Sequence, residues 1–332
     1  VGISTSAAGS GTPSPPPGSG GGRDARRRAR RSRLYRLDVR GTPYALVAPF
    51  FLLFAAFGLF PVLYTGWVSL HTVSTLDPNT MAWNGVGNYA GLGSDHVFWQ
   101  SLRNTFIIGL LSAVPQLLLA LELANLLNRR LRAGTSFRVA LLAPYATSVA
   151  AAALIFQFVF QQNSAGFANW VLHLFGIGPV AWEAGSWTSK FAVATIVFWR
   201  WTGYNTLIYL AAIQVVPGEL YEAATLDGAS PRQQFRRVTL PALRPTILFT
   251  VIISAIGSLQ LFGEPYLFGG SGQGINGGPD SQYSTLALYV YRLGFSSEHL
   301  GRAAAVAWVI FFIAVVVAGI SALIARRLRT SA

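Results

Sequence analysis

Residues Glu222 to Pro245 read EAATLDGASPRQQFRRVTLPALRP, a long polar passage set between apolar segments. Its residue order spells two short helices hinged on a glycine. The first begins after Pro217-Gly218 and sets Leu220, Ala223 and Ala224 on one side at helical spacing. Gly228 follows, a residue that tolerates a left-handed turn at a helix end. Ser230-Pro231-Arg232-Gln233 then marks a second start, with Ser at the N-cap, Pro at the first helical position and Gln three beyond the cap. Phe235 and Val238 give the second helix a small apolar face, and Pro241 and Pro245 are expected to stop it. By physics alone the hairpin is either a plain connection between membrane spans or a docking element.

The rest of the chain supplies the membrane. Of 332 residues, 52% are hydrophobic and 11% charged, against roughly a quarter charged in soluble domains. The apolar residues gather into six runs, approximately 44–70, 103–127, 138–161, 190–213, 246–268 and 302–325. Each is long enough to cross a ~30 Å hydrocarbon layer at about 1.5 Å per residue. The expected fold is therefore an all-α polytopic membrane protein with six transmembrane helices. Residues 1–22 are Gly, Ser and Pro with little else, and residues 23–40 carry nine arginines directly before the first run. Residues 1–40 read as a disordered cytoplasmic tail whose basic part meets anionic lipid, and residues 41–332 as the membrane domain. A secretory signal is disfavoured, because the apolar run is long and no small-residue cleavage site follows it.

Basic residues orient the spans. With the N-terminus inside, 20 of the 25 Lys and Arg fall in cytoplasmic segments, including Arg129, Arg130, Arg132, Arg138, Arg232, Arg236, Arg237 and Arg244. Arg103, Lys190, Arg292 and Arg302 lie in outer segments or at their edges, and Arg200 lies within a span. This asymmetry places both termini and the 214–245 loop in the cytoplasm. Trp83, Trp99, Trp170, Trp182 and Trp187 in the outer segments read as interfacial anchors, and residues 283–300 as an interfacial helix.

Several chemistries are excluded. There is no cysteine, and the four histidines form no i, i+4 ligand pair, so a metal site is improbable. The Gly272–Gly277 stretch matches G-x-G-x-x-G but follows a membrane run rather than a strand. The only lysine is Lys190, with no glycine before it, so the chain has no P-loop for ATP. No nucleophile elbow or H-E-x-x-H occurs.

The opening stretch resembles the EAA loop of binding-protein-dependent ABC import permeases, in the MalF-like carbohydrate branch. The similarity covers Glu222, Ala223, Ala224, Asp227, Gly228, Ala229, Phe235, Leu240, Pro241, Leu243 and Pro245. It implies a subunit without its own ATPase site, whose loop seats in a cleft of an ATP-hydrolysing partner. It further implies a second related permease subunit, two ATPase subunits that bind ATP and Mg, and an extracytoplasmic binding protein that delivers a di- or oligosaccharide. An ion-coupled secondary transporter is the alternative, but no convincing internal repeat is visible.

A sugar path needs aromatic faces and amide or carboxylate groups around an aqueous cavity. Trp201, Tyr204 and Asn205 share one face of span four, and Gln260 and Glu264 are expected to share a face of span five with Tyr266 nearby. Helix packing would account for the same residue types. Glu122, near the inner end of its span, reads as reaching the interface. Arg200 sits among aromatics, where cation–π packing or pairing with Glu264 would hold it.

Overall fold

The structure, a computed structural model, describes residues 42–74, 76, 81–128 and 134–330. The expected tail at 1–40 lies outside the described residues, as do Arg129, Arg130 and Arg132. The chain divides into two units, Val1–Tyr64 and Thr65–Ala332. The first is helical over residues 42–64, the start of helix α1 (Thr42–Ser69), with a widened π turn at Ala55–Leu59 and exposed Phe50, Leu52 and Phe57.

The second unit is mostly helical. A two-residue hairpin pairs β1 (His71–Thr72) antiparallel with β2 (Ala82–Trp83), His71 opposite Trp83. Then follow α2 (Gly87–Gly93), α3 (His96–Leu127), α4 (Gly134–Ala146), α5 (Val149–Val159) and α6 (Phe167–Leu174). Next come α7 (Ser186–Gln214), α8 (Gly218–Leu226), α9 (Pro231–Ala242), α10 (Arg244–Leu259) and α11 (Gly263–Phe268). Last are α12 (Leu286–Tyr291) and α13 (Leu300–Thr330). Asp95 caps α3 by accepting from the N–H groups of Val97 and Phe98, which fixes where that helix enters the bundle.

Among the described residues, α1, α3 and α13 are long and apolar enough to cross a membrane; two bent helix pairs, α4–α5 at 93° and α9–α10 at 67°, raise the number to five if each is one span. Helix α7 has 29 residues, enough length to span, but Arg200 and Asn205 lower its apolarity. The expected third span, 138–161, is two helices meeting at 93°. Pro144 cannot donate in the last turn of α4, and Ser148 starts α5 afresh by accepting from the Ala151 N–H at 3.2 Å.

The expected fifth span, 246–268, is also broken, between Leu259 and Gly263. Pro265 has no N–H for the Leu261 carbonyl, which instead accepts from the Thr285 hydroxyl at 2.5 Å. Gln260 and Glu264 therefore do not share one continuous helix, contrary to their i, i+4 spacing. Within residues 283–300 the chain forms α12 and a π turn at Arg292–Ser296, packed into the unit along one side. Leu286, Leu288 and Tyr289 are fully buried, in part against Leu92, Phe98 and Val306. Trp182, one of the expected anchors, donates to Asn169 Oδ1 at 2.8 Å and packs on Phe160. A second core joins Ile108, Phe156, Val193, Ile196 and Phe268, and a third joins Ala120, Tyr209, Leu210 and Leu243.

Candidate functional site

The polar loop folds as its sequence reads, with one exception. Helix α8 ends in a left-handed turn at Gly228, φ 76°. The Gly228 N–H donates to Thr225 O at 3.0 Å and the Ala229 N–H to Ala224 O at 2.9 Å, which satisfies the last carbonyls of the helix. Ser230 and Gln233 form a reciprocal capping box at the start of α9. Pro241 does not stop α9. A π turn at Phe235–Thr239 precedes it and accommodates the proline, and the helix closes at Ala242.

Two contacts hold the hairpin shut: Tyr221 OH with Thr239 Oγ1 at 3.0 Å, and the Gln234 amide donating to Thr225 Oγ1 at 3.0 Å. Glu222, Ala223 and Asp227 are exposed, whereas Ala224, Ala229, Phe235, Leu240 and Pro241 are half-buried. Leu226 is 88% exposed, an apolar side chain left without cover on a polar hairpin.

The second assembly is a cavity of about 510 Å³ enclosed by α3, α7, α10 and the break before α11. Five of the six expected path residues line it: Trp201, Tyr204, Asn205, Gln260 and Glu264. Tyr266 does not. It stacks on Phe262 at 5.3 Å and meets Tyr291 edge-on, in a separate aromatic group.

Buried Glu264 accepts from buried Arg200 at 2.5 Å. The Arg200 guanidinium also reaches the Thr147 carbonyl, at 3.4 Å, where the chain breaks between α4 and α5. One cation thus serves both helix breaks, while its Nε has no partner among the described residues. Tyr204 stacks on Tyr145 at 4.6 Å and Trp201 meets the same ring edge-on, so these two aromatics pack α4 against α7 as well as lining the cavity. The Asn205 amide donates to Trp201 O at 3.3 Å. Glu122 is exposed near the end of α3.

Sequence reading missed the wall supplied by α3. Ser112 and buried Gln116 line the cavity from one face of that helix. A glutamine after Pro115 in an otherwise apolar run, with Ser four residues before it, was the available signal. It also missed Gly203, where an added Cβ would lie 1.6 Å from the Leu141 carbonyl oxygen, so the backbones of α4 and α7 touch beside the aromatic pair.

Residues 89–330 match the family described as binding-protein-dependent transport system inner membrane component. The chain is 38% identical over 261 residues to the lactose transport system permease protein LacF of Rhizobium radiobacter, covering 78% of this chain and 84% of that protein. It is 33% identical to the trehalose/maltose transport system permease protein MalF of Thermococcus litoralis, covering 76% and 83%. In fold it is similar to the crystal structure of a bacterial ABC transporter involved in the import of the acidic polysaccharide alginate. The TM-score there is 0.74 at 22% identity, over 89% of this chain and 99% of that one. With a capped helix–glycine–helix hairpin, a cavity lined by aromatic and polar side chains of α3, α7, α10 and α11, and these similarities, the chain belongs to the inner membrane components of binding-protein-dependent transport systems.

Proposed function

We propose that the chain is a membrane-spanning permease subunit of an ATP-driven ABC importer, and that it translocates a di- or oligosaccharide delivered by an extracytoplasmic binding protein. The observation that carries the reading is the cavity. Its 510 Å³ falls within the about 300–1,000 Å³ of small-molecule sites, and it combines aromatic rings with amide and hydroxyl groups. The rings of Trp201 and Tyr204 suit the apolar face of a pyranose. Asn205, Gln116 and Gln260 suit its hydroxyls. The names of the lactose and trehalose/maltose relatives support the same substrate class.

In this reading the chain crosses the membrane six times with both termini in the cytoplasm, the α4–α5 pair and the α10–α11 pair each forming one interrupted crossing. The α8–α9 hairpin seats in an ATPase subunit through Glu222, Ala223, Ala224, Asp227, Gly228, Ala229, Phe235, Leu240 and Pro241. A second permease subunit completes the path, and two ATPase subunits bind ATP and Mg. Switching a two-state transporter from 1:99 to 99:1 takes about 5.5 kcal/mol of differential binding, which ATP engagement can provide.

The test is uptake of labelled disaccharides and trisaccharides into vesicles carrying the chain with its co-expressed partners. Accumulation should require both ATP and the binding protein. Uptake driven by an ion gradient without ATP would overturn the reading. Topology is checked separately in this cysteine-free chain: Ser230→Cys should be labelled only from the cytoplasm and Ser164→Cys only from outside.

A further inference from the structure

At the end of α7 remote from the hairpin, Lys190 lies within electrostatic reach of Arg103, and no carboxylate pairs with either among the described residues. Lys190 stands 24 residues before Gln214, roughly 36 Å along the helix axis. It is 2% exposed, and its ammonium donates to Ser186 O at 2.5 Å and Ser186 Oγ at 3.1 Å. The Arg103 guanidinium on α3 is close enough to act on it electrostatically. The side chain of Arg103 is exposed and forms no hydrogen bond or ion pair among the described residues. Arg103 and Ser186 both line a cavity of about 550 Å³, with His96, Gln100 and Asp280 on the same rim. The Asp280 carboxylate bonds to neither cation among the described residues.

A buried ammonium beside a second cation is costly unless an anion compensates it. The protein surface next to the pair indicates which anion. From the cavity, α3 carries an exposed stripe on one side: Trp99, then Arg103, then Phe106, Leu110 and Val114. Helix α7 adds exposed Trp187 and Phe191 beside Lys190. Two tryptophans at the level of the charges and apolar side chains on one side below them match a headgroup zone above an acyl zone. A small soluble anion would have no use for that stripe.

We propose that Arg103 and Lys190 form a site for the phosphate of an anionic phospholipid, in the leaflet away from the α8–α9 hairpin. The acyl chains lie along Phe106, Leu110 and Val114 of α3 and Phe191 of α7. The phosphate oxygens take the free guanidinium of Arg103 and, at Ser186, approach the Lys190 ammonium. The lipid neutralises the pair and braces the outer ends of α3 and α7, the two helices that flank the sugar cavity.

The full-length chain, with the subunits that accompany it, is placed in nanodiscs of phosphatidylcholine alone or of phosphatidylcholine with phosphatidylglycerol. Bound lipid is counted by native mass spectrometry and stability is followed by thermal unfolding. Wild type should retain one phosphatidylglycerol in preference to phosphatidylcholine and unfold at a higher temperature when it is present. Arg103→Gln, a change at an exposed position, should weaken retention about fivefold, and Arg103→Lys should keep most of it. Lys190→Gln should act in the same direction; if it fails to fold, the Arg103 pair of variants decides alone. Equal retention of the two lipids by wild type, or unchanged retention in Arg103→Gln, would overturn the site. Inorganic phosphate added to phosphatidylcholine discs should give no comparable stabilisation; if it does, the ligand is a free phosphate and the lipid assignment fails.

Discussion

The α8–α9 hairpin and the cavity at α7 are built by opposite means. Every contact that shapes the hairpin joins residues within about twenty positions of one another, such as Ser230 to Gln233 and Tyr221 to Thr239. The cavity instead depends on partners far apart in sequence, Arg200 with Glu264 and with Thr147, closing over helices that stop where their apolar runs continue. The hairpin leaves Glu222, Ala223, Leu226 and Asp227 exposed, whereas the cavity turns its polar groups inward. Changes in the hairpin should therefore affect transport more than folding, and changes around the cavity should affect both.

The largest expected effect tests the long-range half. Glu264→Ala leaves the Arg200 cation buried and unpaired, at a cost of about 3–5 kcal/mol, and membrane abundance should collapse. The double variant Arg200→Met with Glu264→Ala should regain abundance without regaining uptake. Wild-type abundance in Glu264→Ala would show that the pair does not hold the breaks together. Next, Gly203→Ala must push α4 from α7, costing about 1–3 kcal/mol or more, and should lower the unfolding temperature along with uptake.

In the hairpin, Gly228→Val has open space for its side chain but a backbone at φ 76°, so the cost is about 1–3 kcal/mol of local strain. Uptake should fall severalfold while abundance stays near normal; a parallel loss of abundance would erase the contrast between the two regions. The smallest effect is expected for Ser230→Ala, which removes half of the capping box at about 1 kcal/mol. Uptake should drop by less than half, measurable at equal abundance.

The same division explains what could be read from the residues. Capping boxes, glycine turns and N-terminal prolines act through neighbours, so the order Asp227-Gly228-Ala229-Ser230-Pro231 was sufficient to place the hairpin's turn. Trp201, Tyr204 and Asn205 were legible as one face because α7 is continuous through them. Gln260 and Glu264 reached the same cavity by a route that spacing did not show. The helix between them breaks because Pro265 has no N–H for the Leu261 carbonyl, and the break is tolerated because Thr285, 24 residues beyond Leu261, donates to that carbonyl. Nothing local announces that hydroxyl. Gln116 was visible but silent, since a single amide in a membrane helix reads equally well as packing until the opposite wall is known.

The π turn at Phe235–Thr239 has a consequence for phase. An α-helix advances about 100° per residue, so Phe235 and Leu243 would lie about 80° apart around a regular helix. The widened turn withholds nearly one residue's worth of rotation and brings Phe235, buried Thr239 and fully buried Leu243 close to one line. A wheel drawn straight through the segment would scatter them. Deleting one residue here would shorten the helix by only ~1.5 Å. Because the widened turn already withholds about that much rotation, the deletion would heal it to a regular helix and leave the start of α10 in nearly the same phase relative to the face that the hairpin presents.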